Sequence, residues 1–139
     1  MKISKTMTGR FIEELRYVAK QMQGTENPEE KLYYFSAVFG VTQRIVNFDF
    51  DPEIVFIHQV TQLAYNQIQQ RLVLVKSGQQ TSIGLPDNLF AVLQEMVAEM
   101  ASRVEKGETT WPILEKIMTL SYSTTGNGYY LFQKGELKI

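Results

Sequence analysis

The stretch DPEIVFIHQVTQLAYNQIQQRLVLVKSG, residues 51–78, decides how the rest of the chain is read. Asp51-Pro52-Glu53 is a helix start: a short side-chain oxygen accepts from free amides, proline suits the first helical position, and a carboxylate favours the positive end of the dipole. No breaker follows before Gly78, so the spacing predicts one helix over 52–76, nearly 40 Å long at about 1.5 Å per residue. Helical steps place Ile54, Ile57, Val60, Ala64, Ile68, Leu72 and Val75 on one face. Phe56, Leu63 and Leu74 form a second, narrower stripe roughly a quarter-turn away. Two stripes require two partners, either neighbouring helices of the same bundle or a second subunit over the narrower one.

Charge sharpens this reading. The stretch carries only Glu53, Arg71 and Lys76 as charged helical residues and fills its polar positions with Gln59, Gln62, Gln67, Gln69 and Gln70. Glutamine is a good helix former that can be covered without desolvating a charge. The helix is therefore expected to be covered.

Working outward, the Asn27-Pro28-Glu29-Glu30 segment repeats the start signal, with Glu30 placed to complete a capping box. Phe11, Leu15, Val18 and Met22 recur at helical spacing ahead of it, and Gly24 marks a stop. Downstream, Leu89, Val92, Leu93, Met96, Val97, Met100, Ala101 and Val104 line one side of a fourth helix opened by Pro86 and ended by Gly107. A fifth, shorter helix follows, with Trp111 free to fold back on the core. The expected helices span about 8–23, 28–47, 52–76, 86–106 and 110–119. Residues 121–139 change character. Thr124-Thr125-Gly126-Asn127-Gly128 reads as a turn, and Tyr129, Tyr130 and Phe132 bounded by glycine read as a small β-hairpin. The fold class expected is mainly α: one domain, an antiparallel bundle of four to five helices with a C-terminal β-hairpin, its first three helices antiparallel neighbours because their loops are short.

Composition is consistent with one domain. At 139 residues a folded chain buries roughly 68% of its unfolded surface, enough for a single core. The 14 Lys+Arg against 15 Asp+Glu give a net charge of −1, which lacks the electrostatic footprint of a nucleic-acid binder. With no cysteine, disulfides, thiolate catalysis and cysteine-ligated metals are excluded. There is no signal-peptide pattern and no apolar run near the ~18 residues needed to span a bilayer, so no membrane partner and a cytoplasmic setting are expected.

The single histidine, His58, carries the enzyme or ligand-binding hypothesis. Gln62, Tyr65 and Gln69 share its side of the helix, and an imidazole beside a phenol and two amides can bind a polar ligand or act as a base. No triad partner stands at a known spacing. A di-metal bundle needs two Glu-x-x-His pairs, and no glutamate lies three residues before His58, so no metal or cofactor is expected. The pairs Glu13/Glu14, Glu29/Glu30 and Glu95/Glu99 read as caps and solvated faces. Gly126-Asn127-Gly128 lacks a phosphate loop's context. The leading expectation is a non-enzymatic protein that self-associates as a homodimer or binds a protein partner. Its interface would use Phe56, Leu63 and Leu74 together with Tyr129, Tyr130 and Phe132. The alternative is a small-molecule-binding or catalytic bundle with a polar pocket at His58 and Tyr65.

Overall fold

The computed structural model of the chain describes residues 1–78, 85 and 88–137. Among the described residues there are six helices: α1 (Lys5–Gln23), α2 (Pro28–Val46), α3 (Pro52–Lys76), α4 (Leu89–Lys106), α5 (Trp111–Tyr122) and α6 (Gly126–Gln133). Local chemistry sets their limits. α1 begins earlier than the apolar spacing implies because the Ser4 hydroxyl accepts from the Met7 amide at 3.2 Å. Asn27 caps α2 through bonds from the Glu29 and Glu30 amides at 2.8 and 3.2 Å. The capping box does not form; the Glu30 carboxylate accepts instead from the Thr25 hydroxyl, at 2.7 Å. α4 stops at Gly107, whose φ of 70° lets the Glu108 and Gly107 amides reach the Arg103 and Val104 carbonyls, an ending that disfavours any residue with a Cβ. The expected opening of the fourth helix at Pro86, and most of the loop before it, lie outside the described residues.

The hairpin expected over 121–139 is not there: the described part holds the end of α5, a turn and α6, and no strand occurs among the described residues. α5 runs on to Tyr122, and Ser121, Ser123 and Thr124 turn their hydroxyls back onto carbonyls three residues earlier. Thr125 then caps α6, its hydroxyl accepting from the Gly128 amide at 3.0 Å. Gly128 is buried against the end of α5, where an added Cβ would stand 1.9 Å from the Tyr122 carbonyl oxygen. The glycine that reads as a turn residue is thus a contact residue. A lone hairpin would have had no sheet to join, whereas a helical turn satisfies its amides locally. Residues 138–139 lie outside the described part.

The other five helices close a ring. α1 packs on α2 and α4, α2 on α3, α3 on α5, and α5 on α4. The spatial order is therefore α1-α2-α3-α5-α4, with α5 seated between α3 and α4. α2 and α3 are antiparallel, since Lys76 pairs with Glu29 at one end and His58 meets Phe39 midway. A closed ring with an odd number of helices cannot alternate throughout. One parallel pair is α3 with α5, because Glu53 bonds to Thr110 near both starts and Arg71 to Thr124 near both ends. Phe11, Leu15, Phe35, Ile57, Ile68, Leu93, Met100, Ile113 and Ile117 fill the centre and are completely buried.

Acid–amide contacts fix the start of α3. Asp51 accepts from the Lys2 and Glu53 amides, both at 2.8 Å, and Asp49 accepts from the Ser4 amide at 2.5 Å. Glu53 takes the Thr110 amide at 2.7 Å and its hydroxyl at 2.8 Å, with the Met1 amine at 3.1 Å. Burial pushes both the Asp51 and Glu53 carboxyls up. For Asp51 the Lys2, Glu53 and Ile54 amides and the amine charge outweigh it; for Glu53 the Thr110 bonds and the amine do. Both titrate below their ordinary values.

Candidate functional site

α3 is two-faced. Its inner side, Ile54, Ile57, Thr61, Ala64, Ile68 and Leu72, is buried in the bundle. Along the outer side, Phe56, Gln59, Leu63, Asn66, Gln70 and Val73 are all exposed. Phe56 keeps 49%, Leu63 54% and Val73 57% of its surface in water. The six are spaced 3, 4, 3, 4 and 3 residues apart, which is the a/d seam of a coiled coil. The positions flanking this seam are Val55, Val60, Gln62, Gln67, Gln69 and Leu74, so seam and flanks together carry no charge.

The three charges of α3 are used elsewhere. Glu53 holds Thr110, the Arg71 Nε donates to the Thr124 carbonyl at 2.6 Å, and Lys76 pairs with Glu29. The uncharged strip therefore runs for about 25 Å. At one end Phe56 meets Trp111 edge to face, with centroids 6.0 Å apart. Trp111, free to fold back on the core, instead stays 47% exposed, because Thr110 is pinned to Glu53 and the ring is directed outward beside Phe56.

Of the other residues expected at an interface, Leu74 is half-buried and lines a shallow cavity of about 250 Å³ with Gln67, Gln70, Arg71 and Thr124–Gly126. Tyr129 is half-buried on α6, while Tyr130 and Phe132 are exposed there. They stand on a helix instead of a strand.

The four residues of the alternative site divide. The His58 Nδ1 lies 2.9 Å from the Phe39 carbonyl oxygen. A carbonyl can only accept, so neutral His58 carries its proton on Nδ1 and leaves Nε2 as the acceptor. The Thr42 hydroxyl, 3.4 Å from the same nitrogen, donates to backbone carbonyls of its own helix. Tyr65 stacks edge-on against Phe39 at 5.5 Å. Together with Gln69 it lines a cavity of about 240 Å³, completed by Glu29, Leu32, Tyr33, Leu72 and Val73. His58 and Gln62 are not among that cavity's lining residues; Gln62 points into solvent. The geometry thus joins Tyr65 to Gln69 but not to the imidazole. A larger groove of about 440 Å³ lies between α1 and α2, lined by Met7, Arg10, Glu13, Glu14, Val41, Arg44, Ile45 and Phe48. Among the described residues no three acidic or histidine side chains converge as metal ligands, and no helix is long and apolar enough to cross a membrane.

Gln59, Asn66 and Gln70 escape apolar periodicity because they are polar, and Val73 lies off both apolar stripes. The signal that finds them is the alternating 3-4 spacing of uncharged residues, whatever their polarity. Comparison with models of protein families, with characterised proteins and with solved structures finds no match to this chain.

Proposed function

We propose that the chain is a non-enzymatic helical-bundle protein that acts by self-association, as a twofold dimer formed through the outer face of α3. One observation carries this reading: six exposed residues at coiled-coil spacing, Phe56 to Val73, on a strip without a charge. A monomer has no use for apolar groups aligned this way, and solvated helices normally carry charged outer faces. The missing charge also favours a second copy over an oppositely charged partner, because an isologous interface brings each patch onto itself. We take its setting to be the cytoplasm; a chain without cysteine has no need of an oxidising compartment.

Phe56, Leu63 and Val73 are each about half in water, so covering them regains about 1 kcal/mol apiece per chain. Over both chains this is about 6 kcal/mol before the cost of association, and half of the seam is polar, so the dimer is expected to be weak, with a dissociation constant on the order of 100 μM. Sedimentation equilibrium or light scattering tests it. Leu63→Glu should weaken association by at least about 100-fold while leaving the helical circular dichroism unchanged. A wild-type monomer at about 1 mM, well above that range, would refute the proposal.

A further inference from the structure

The Gly126-Asn127-Gly128 segment gives α6 a chemistry that its packing does not use. Of the chain's asparagines, Asn127 alone is followed by glycine. In such a pair the glycine amide can attack the asparagine side chain without obstruction by a Cβ. We infer that Asn127 is a deamidation site held shut by α6: docked on α5 the helix keeps it inert, and release of the helix opens it.

Three features hold the reacting atoms apart. In a helix the Asn127 side chain leans toward the N-terminus, away from the Gly128 nitrogen that follows it. Its Nδ2 donates to the Tyr122 hydroxyl at 2.9 Å, five residues back. The Gly128 N–H donates to the Thr125 hydroxyl at 3.0 Å, with Gly128 itself buried against the Tyr122 carbonyl. The latch is nevertheless slight. α6 has eight residues and buries only Gly128, whereas an isolated helix needs about 12–15 residues to persist in water. This element therefore opens at a lower free energy than the ring of five helices beneath it.

Once released, the Gly128 nitrogen attacks Cγ of Asn127. The N–Cγ bond forms, the Cγ–Nδ2 bond breaks, the amide proton passes through solvent to the leaving nitrogen, and ammonia departs. Water then opens the cyclic imide at either carbonyl, and nothing is oxidised or reduced. Opening at the side-chain carbonyl leaves aspartate, whose charge suits the first turn of α6. Opening at the backbone carbonyl leaves isoaspartate, which adds one atom to the main chain and carries Gly128 out of its seat against Tyr122. The first product re-forms the helix and the second does not.

The test keeps the full chain at neutral pH with and without urea. Peptides containing residue 127 are followed by mass spectrometry, with electron-transfer fragmentation to separate aspartate from isoaspartate. Conversion should be at least about tenfold slower in the native chain, where only the undocked fraction reacts. Thr125→Ala removes the cap and should speed native conversion about fivefold without changing the rate in urea, and Thr125→Ser should restore protection. Equal rates in the native and the urea-unfolded chain would overturn the proposal. So would a native Thr125→Ala rate equal to that of the unmodified chain, or conversion concentrated at another asparagine.

Discussion

Replacing Gly128 with alanine tests the account of the C-terminal helix. The new Cβ would lie 1.9 Å from the Tyr122 carbonyl oxygen, 2.6 Å from its carbon and 2.9 Å from the Thr125 hydroxyl. Two of these atoms are backbone and the third is the cap of α6, so nothing nearby can yield like the end of a flexible side chain. Relief requires α6 to move off α5. Overpacking of this kind costs about 1–3 kcal/mol, and docking of α6 sets the ceiling, because Gly128 is its one buried residue. For a chain of 139 residues, each kcal/mol shifts Tm by about 3 °C. A fall of about 3–9 °C is therefore expected, with amide exchange accelerated most over 126–134. Gly126→Ala supplies the control. It lies two residues earlier in the same helix with nothing within 4 Å of its Cβ, and should gain about 0.4–1 kcal/mol through the unfolded state. Equal melting temperatures and equal exchange for the two alanine variants would refute the reasoning.

Glu53→Gln should cost about 1–2 kcal/mol at neutral pH, since a charged acceptor is lost from Thr110 and from the amine. Glu53 and Asp51 are depressed in the folded state relative to ordinary values of 4.5 and 3.8. Their contribution is therefore complete above those values and lost as pH falls through the lower folded ones. Urea titrations from pH 6 to 2 should show acid destabilisation that is shallower in Glu53→Gln, and an unchanged slope would contradict this. Asn27→Ala removes the acceptor of two α2 amides and should lower stability by about 1 kcal/mol, measured by thermal melting. Nitrogen NMR should find neutral His58 protonated on Nδ1; a dominant Nε2–H form would contradict its bond to Phe39.

How much was readable from residue order differs by element. α3 spans the expected 52–76 because both ends are marked, by Asp51-Pro52 and by Ser77-Gly78. The start of α1 is hidden because Ser4 and the residues after it are polar, so the helix begins before its apolar stripe does. α6 is hidden in the sequence because two glycines and two tyrosines within eight residues favour no helix; the helix follows from the Thr125 cap and from close approach to Tyr122. The ring order is invisible locally, since the position of α5 between α3 and α4 depends on tertiary docking. Phe56 and Leu63 stood out as a second stripe, while the polar half of the seam did not. The orientation of His58 away from the Tyr65 cavity depends on the Phe39 carbonyl, which no side-chain pattern encodes.

The odd ring has a consequence for how the molecule is assembled. Helices α1 to α3 leave the ribosome first, each adjacent to the one before, and can dock by local contacts. α4 must then seal against α1, across the distance from Gln23 to Leu89, while a gap stays open on its other side. α5, the shortest member of the ring, emerges later yet belongs in that gap. It acts as a keystone inserted last, and until Ile113 and Ile117 are seated the apolar inner face of α3 stays open on one side. The period of greatest exposure to aggregation therefore lies between the synthesis of α3 and the arrival of a helix of 12 residues.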